Sequence, residues 1–368
     1  MRQLFESCSV GTLKAKNRFF RGAVWDGMAD EHGRYTPAYL ERYRQLACGG
    51  VGTILTGYTY ITDWEKPNPG MTGIYDDSFV EQYRLVTDAV HKEGGRIVMQ
   101  LVYGGGQTGH LNSNRPPWGS SAVKYLSSGV TPREMTEEDI GELAYAFGAA
   151  ARRARESGFD GVQVHGAHGY LLSQFLCPYY NRRTDRYGGG VENRARIFHR
   201  VIKAIRRQTA PEFPVLMKLN SSDEAPEGLS QQDSLAVAKL LAQWGCDGIE
   251  VSGGNGSLPY VAEHDLGAVR GGIAPGKNEG YFGEYAMQLA WEVPVPVILC
   301  GGLRSLEKIE ELLQNSAITA FSLARPLLAE SGLIRRWQQG DRRPSQCVSC
   351  NGCHRQSPEK RCIFDFES

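Results

Sequence analysis

The stretch Val162-Gln163-Val164-His165-Gly166-Ala167-His168-Gly169-Tyr170-Leu171-Leu172-Ser173-Gln174-Phe175-Leu176 decides how this chain is read. A short β-branched run ends in two histidines and a tyrosine, and an apolar, helix-like run follows. Such a run suits a strand buried on both faces. Its exit, however, carries polar groups. A buried imidazole is costly to charge, and a tyrosine hydroxyl in an apolar wall needs a partner. Groups of this kind are poor packing material. They are well suited to handling a carbonyl, an anion or a proton.

The same strand-then-helix unit recurs on both sides. Strand patterns fall at 18–23, 51–57, 96–101, 161–165, 213–220, 248–252, 296–300 and 318–323. Helical spacing falls between them, at 39–48, 79–92, 136–157, 191–209, 231–244, up to 291, 306–315 and finally to about 339. Thr136-Glu137-Glu138-Asp139 opens its helix like a capping box. Eight strands alternating with helices predict an α/β fold, a (β/α)8 TIM barrel. A doubly wound sheet would more often show a G-x-G-x-x-G turn after the first strand, and none is present. The first strand is short and carries a charge, Arg21. Ahead of it, 4–17 reads as a hairpin turning at Gly11-Thr12 and placed to plug the barrel bottom. Two long loops interrupt the rhythm, at 104–132 and 253–280. No repeat or linker divides the chain, so 1–340 is expected to be one barrel domain and 341–368 a Cys-rich tail.

Composition narrows the function classes. Lys+Arg and Asp+Glu are both 41, so no net field draws the 368-residue chain to nucleic acid or membrane. The opening MRQLFESCSV lacks an apolar signal core, and no run reaches the roughly 18 apolar residues of a membrane span. A cytoplasmic protein is expected. Of nine cysteines, five are scattered and four cluster at Cys347, Cys350, Cys353 and Cys362. In such a compartment the cluster suggests metal or redox work rather than disulfides.

In this barrel the site lies at the C-terminal strand ends. Those ends carry Ala23 and Trp25, Tyr58, Gln100, His165 and His168, Lys218, Ser252, Gly301-Gly302, and Ala324-Arg325. The glycine-rich ends of strands seven and eight, with Arg325, suit a phosphate. An amide, a cation and two imidazoles suit a flat, hydrogen-bonding ring. A phosphorylated planar cofactor fits both groups, and FMN is the candidate. Other readings compete. H-x-x-H suits a divalent metal, yet no Asp, Glu or Cys stands at a comparable strand end with matching spacing. Lys218 also suits a Schiff base in a phosphate-gripping aldolase. The charge-rich run Arg182, Arg183, Asp185, Glu192, Asn193 and Arg194 reads as a structural network beside the site.

The chain resembles the Old Yellow Enzyme family of FMN-dependent NADH:flavin oxidoreductases and ene-reductases. It is most similar to the bacterial branch near trimethylamine dehydrogenase and 2,4-dienoyl-CoA reductase. The resemblance spans nearly the whole chain. It rests on LKAKNRFFRGA, VMQLVYGGGQ, HGAHGYLLSQFLCPYYNRRTDRYGGGVENRARI, VLMKLNSSD, VILCGGLRS and FSLARPLLAE. It implies reduction of the C=C bond of α,β-unsaturated carbonyls by NAD(P)H through ping-pong hydride transfer. In that pattern Gln100 pairs with the flavin pyrimidine edge, and Lys218 stands near N1 and O2. Ala23 and Tyr58 give backbone contacts, while Gly301, Gly302, Ala324 and Arg325 grip the phosphate. His165 and His168 would donate to the substrate carbonyl oxygen, and Tyr170 would protonate Cα. The implied partner is a small enone or enoate, in a homo-oligomer. Trp25 departs from the pattern, since many relatives have Cys there; a Trp would wall the substrate pocket. In the tail, Cys347-x2-Cys350-x2-Cys353-x8-Cys362 resembles the [4Fe-4S] site of the trimethylamine dehydrogenase branch, with a shorter last gap. An iron–sulfur cluster, zinc and free thiols all remain open. The alternative function is an amine or enoyl-CoA flavoenzyme that passes electrons through such a cluster to a separate protein.

Overall fold

A computed structural model of the chain describes residues 2–111, 115–264, 266–355 and 361–364. Its centre is a ring of eight strands: Phe19–Arg21, Thr53–Leu55, Arg96–Val102, Gly161–Gly166, Val215–Asn220, Gly248–Ser252, Val297–Cys300 and Ala320–Leu323. Every strand pairs in parallel with the next, and the eighth returns to the first. The closed barrel matches the expected strand order one for one. Closure leaves no edge in the ring, and every strand is buried.

Side chains alternate along each strand, and this alternation builds the site. Outward positions such as Val162, Val164, Met217, Ile249 and Leu299 join the core under the helices. Inward positions stack in layers. The lowest is apolar: Phe20, Leu55, Val98, Leu216, Ile298 and Ala320, with Val10 and Leu13 beneath. Those last two belong to the hairpin Cys8–Val10 and Leu13–Ala15, which turns on Gly11 at φ +58°. The hairpin therefore plugs the barrel bottom as expected. Two residues higher on the same inward faces, the layer becomes polar: Gln100, Lys218, Glu250, Cys300 and Ser322.

Helices Pro37–Cys48, Val80–Lys92, Glu137–Glu156, Val191–Gln208, Gln231–Gln243, Gly283–Glu292 and Leu306–Asn315 surround the ring. Thr136 and Asp139 form the predicted capping box. The helix expected after the eighth strand is two short pieces, Arg325–Ala329 and Leu333–Gln338. The long loops hold short elements: His110–Leu111 and Trp118–Gly119 in the first, helix Pro259–His264 in the second. Arg21 is no defect in its strand. It is buried and paired to Asp26 at 2.6 Å, and donates to the Leu55 carbonyl. Asp26 in turn accepts from Tyr43.

Candidate active site

A cavity of about 360 Å³ opens above the polar layer. It is lined by all twelve barrel residues given a site role from the sequence: Ala23, Trp25, Tyr58, Gln100, His165, His168, Tyr170, Lys218, Gly301, Gly302, Ala324 and Arg325. The charge-rich run 182–194 stays outside it. Arg183 pairs with Asp185, and Arg194 with Asp233, as a structural network.

At one end sit His165, His168 and Tyr170. His168 and Gly169 have φ of +60° and +79°, which swing the chain off its strand into helix Leu171–Leu176. A Cβ on Gly169 would lie 2.3 Å from Asn255 Oδ1, so this turn needs glycine. The strained His168 backbone is held from two sides. Its N–H donates to Asn220 Oδ1 at 3.3 Å, and its carbonyl accepts from Gln107. The rings of His165 and His168 are 5.1 Å apart and nearly perpendicular, and Tyr170 lies 4.8 Å from His165. Burial, and then the charge of Lys218, pushes His168 down to about 3. Burial first, then His168 and Lys218, lower His165 as well. Both imidazoles are therefore neutral at pH 7. Burial raises Tyr170, while hydrogen bonds from Tyr58 and Asn68 pull it back toward ionisation. Asn68 Nδ2 donates to Tyr58 Oη at 3.0 Å. The side chain of Tyr58 thus meets Tyr170, a contact the sequence reading had not assigned. Trp25 is half-buried in the wall and donates to the Pro69 carbonyl at 3.0 Å.

The cavity floor is a polar chain. Gln100 Nε2 donates to Gln163 Oε1 at 2.6 Å, and Gln163 Nε2 donates to Glu250 Oε2 at 2.9 Å. Lys218 Nζ meets the same Oε2 at 2.9 Å. Burial opposes the charge on Lys218, but Cys300 and Glu250 outweigh it and raise its pKa. Three buried polar atoms here have no partner among the described residues: Gln100 Oε1, Glu250 Oε1 and Ser322 Oγ. Unpaired buried polar atoms are costly, so a polar ligand ring belongs against this floor.

The far end is cationic. Gly301 and Gly302 have φ of +113° and +75°. Arg325 and the buried Arg304 flank them. Burial first, and then the neighbouring Arg325, lower the pKa of Arg304, against Cys347 and Glu279, which raise it. Its described partners are carbonyls, those of Gly302, Ile273 and Cys347. Among the described lining residues no carboxylate stands between these two guanidinium groups, which suits a bound phosphate. A floor of free amide and carboxylate atoms, apolar walls and this cationic end together fit FMN.

The tail folds back onto the cationic end. Ser345 N–H donates to the Arg304 carbonyl, Arg304 to the Cys347 carbonyl, and Arg325 to Asn351. Cys347, Cys350, Cys353 and Cys362 line one small cavity, and Cys353 also reaches the large one. Among the described residues, no three His, Cys, Asp or Glu side chains are arranged to hold a metal ion. Of the three readings left open by the spacing, neither an iron–sulfur cluster nor a zinc site is formed among the described residues.

Comparison with known proteins bears on this site. Residues 3–343 match the model of the NADH:flavin oxidoreductase / NADH oxidase family. The chain belongs to that family. FMN and a reduced nicotinamide are its cofactors, as expected. Family members similar to the chain include a metal reductase of Desulforamulus reducens, 31% identical over 96% of this chain and 51% of that one. An NADPH dehydrogenase of Bacillus licheniformis is 31% identical over 89% of this chain and 92% of its own length. Among solved structures, a 2-naphthoyl-CoA reductase superposes with a TM-score of 0.86 at 25% identity, over 95% of this chain and 54% of that one. The chain thus spans about half the length of the metal reductase and of the naphthoyl-CoA reductase. The Old Yellow Enzyme homologue of Zymomonas mobilis shares the fold over 98% of its length, with a TM-score of 0.77 at 23% identity. Among the described residues no helix is long and apolar enough to cross a membrane.

Several lining residues of this family member escaped the sequence reading: Asn68, Gln107, Glu250, Cys300, Arg304 and Ser322, while Ser252 stood among the strand ends without a role. One signal was available. Glu250, Ser252, Cys300 and Ser322 sit at inward alternate positions near strand ends, where a polar residue in an apolar run is informative. Asn68 lies in a loop and Gln107 in the short 3-10 turn Gly105–Gln107, outside the strands, and neither carried such a mark.

Proposed function

We propose that this protein reduces the C=C bond of α,β-unsaturated carbonyl compounds with NAD(P)H. The observation that carries the reading is the convergence of two neutral imidazoles and a protonated tyrosine at one end of a cavity fit for FMN. Bound FMN supplies hydride chemistry taken from the nicotinamide. Gln100, Lys218 and Ser322 would hold its polar ring edge, and Gly301, Gly302, Arg304, Ala324 and Arg325 its phosphate. The imidazoles of His165 and His168 would donate hydrogen bonds to the substrate carbonyl oxygen. Negative charge grows on that oxygen as the C=C is reduced, so these bonds strengthen where they matter. Being neutral, the imidazoles polarise the oxygen without giving up a proton. Tyr170 would give its proton to Cα, and Tyr58 and Asn68 would stabilise the phenolate left behind. Trp25 and Tyr58 would exclude water from the substrate end and limit its width.

The test is reduction of cyclohexenone by NAD(P)H, with wild type against the double variant His165→Ala/His168→Ala. Phenol binding and turnover should collapse in the variant while FMN stays bound. A variant as active as wild type would refute the reading. A second reading, electron transfer through the tail, rests on Cys353 lining both cavities. Iron and acid-labile sulfide, measured on protein purified without oxygen, test it.

A further inference from the structure

We propose that Ser252 is a positioning residue that fixes the proton of His168 on Nδ1, so that both site imidazoles present an N–H to one substrate oxygen. The functional part of this inference rests on the reading above; the tautomer itself does not.

A neutral imidazole has one donor nitrogen and one acceptor nitrogen, and the partner of one sets the role of the other. The two rings are held through opposite atoms. In His165 the backbone N–H of Ala167 donates to Nδ1 at 3.3 Å. That assigns the lone pair to Nδ1 and the proton to Nε2. In His168 it is Nε2 that is engaged, 2.7 Å from Ser252 Oγ. Had Ser252 accepted from Nε2–H, Nδ1 would carry a lone pair and repel a carbonyl oxygen. With Ser252 donating, Nδ1–H becomes a donor. One ring then offers Nε2–H and the other Nδ1–H.

The Ser252 proton has a second possible destination. Cys300 also lies against this hydroxyl, and its own thiol donates to the Val251 carbonyl at 3.0 Å. Sulfur is the weaker acceptor, so the hydroxyl proton goes to the imidazole nitrogen. The position of Ser252 is rigid. It is a buried strand residue in register with Asn220, whose amide oxygen takes the His168 backbone N–H. One rung of the barrel therefore holds both the backbone and the ring of His168.

The test uses the holoenzyme with 15N-labelled histidine. Ring nitrogen shifts and one-bond couplings report which nitrogen of His168 is protonated. Wild type should show Nδ1–H, and Ser252→Ala should shift His168 toward Nε2–H. In parallel, phenol binding is followed by its long-wavelength absorbance with the oxidised flavin. Ser252→Ala should weaken it about tenfold or more, the loss of one hydrogen bond to a charged oxygen. Ser252→Thr keeps the hydroxyl and should restore it. Nε2–H on His168 in wild type would overturn the proposal, as would wild-type phenol affinity in Ser252→Ala. A wild type that shows Nδ1–H but binds no phenol and reduces no enone would leave the tautomer standing and sink the reaction reading instead.

Discussion

Glu250→Gln removes one charge from the cavity floor and keeps an oxygen for Gln163 to donate to. In the wild type Lys218 Nζ lies 2.9 Å from Glu250 Oε2, and both side chains are buried. At an effective dielectric constant of about 20, that separation corresponds to roughly 6 kcal/mol of attraction. Desolvation of both ions offsets most of it, so the pair adds little net stability. Breaking it is different, because the variant must keep a buried ammonium that has lost its carboxylate. The expected cost is about 3–5 kcal/mol. The assay is urea unfolding of the FMN-loaded protein at pH 7.5, for Glu250→Gln, Lys218→Met and the double variant. The double variant should recover at least half of what Glu250→Gln loses, since it buries no charge. The pH dependence has a defined sign. Folding raises Lys218 above its usual 10.5. Its contribution is therefore complete below that pH and fades as pH climbs past it. A loss below about 1 kcal/mol in Glu250→Gln, or a double variant no more stable than the single, would refute the buried-pair account.

Three further outcomes follow from the same geometry. Tyr58→Phe removes the hydroxyl that steadies the Tyr170 phenolate; in stopped-flow, reoxidation by an enone should slow roughly tenfold, the order of one hydrogen bond, with reduction by NAD(P)H unchanged. Burial lifts Glu65 to about 8, above its usual 4.5, although Thr108 and the Gly104 N–H oppose the shift. The stability lost to that carboxyl accumulates as pH rises from 4.5 to 8, at about 1.4 kcal/mol per pH unit. Glu65→Gln should therefore melt higher than wild type at pH 8 and equally at pH 4.5. His168, held near 3 against an ordinary 6.5, has the opposite consequence. Below pH 6.5 the unfolded chain takes a proton that the folded site refuses, so the midpoint of urea unfolding should fall with acidification, and less steeply in His168→Asn.

Much of this molecule is written locally. Val162, Val164 and the outward residues of the other strands are apolar at every second position, and helical spacing separates them. That is why the order of elements, the closed barrel and the plugging hairpin could be foreseen. The same alternation exposed Gln100 and Lys218 as inward polar residues. The break of the fourth strand at His165-Gly166-Ala167-His168-Gly169-Tyr170 marked the end of the cavity that carries the imidazoles.

What the chain alone determined is therefore its fold and the rim of its site, because periodicity and strand ends are properties of neighbouring residues. Which groups meet across the rim belongs to the tertiary structure. Glu250 finds Lys218 32 positions away, Ser252 finds His168 84 away, and Tyr58, after the second barrel strand, finds Tyr170, after the fourth. These meetings depend on how parallel strands are staggered around a closed ring. Arg304 needed the same closure: only when the tail folded back did it lie between Ile273 and Cys347. Lys218, Ser252, Tyr58 and Asn68, which bear on the protonation of His168 and Tyr170, are of this long-range kind, whereas His165 also has local partners in Ala167 and His168. The sequence thus located the polar groups of the cavity, and the barrel decided which of them meet.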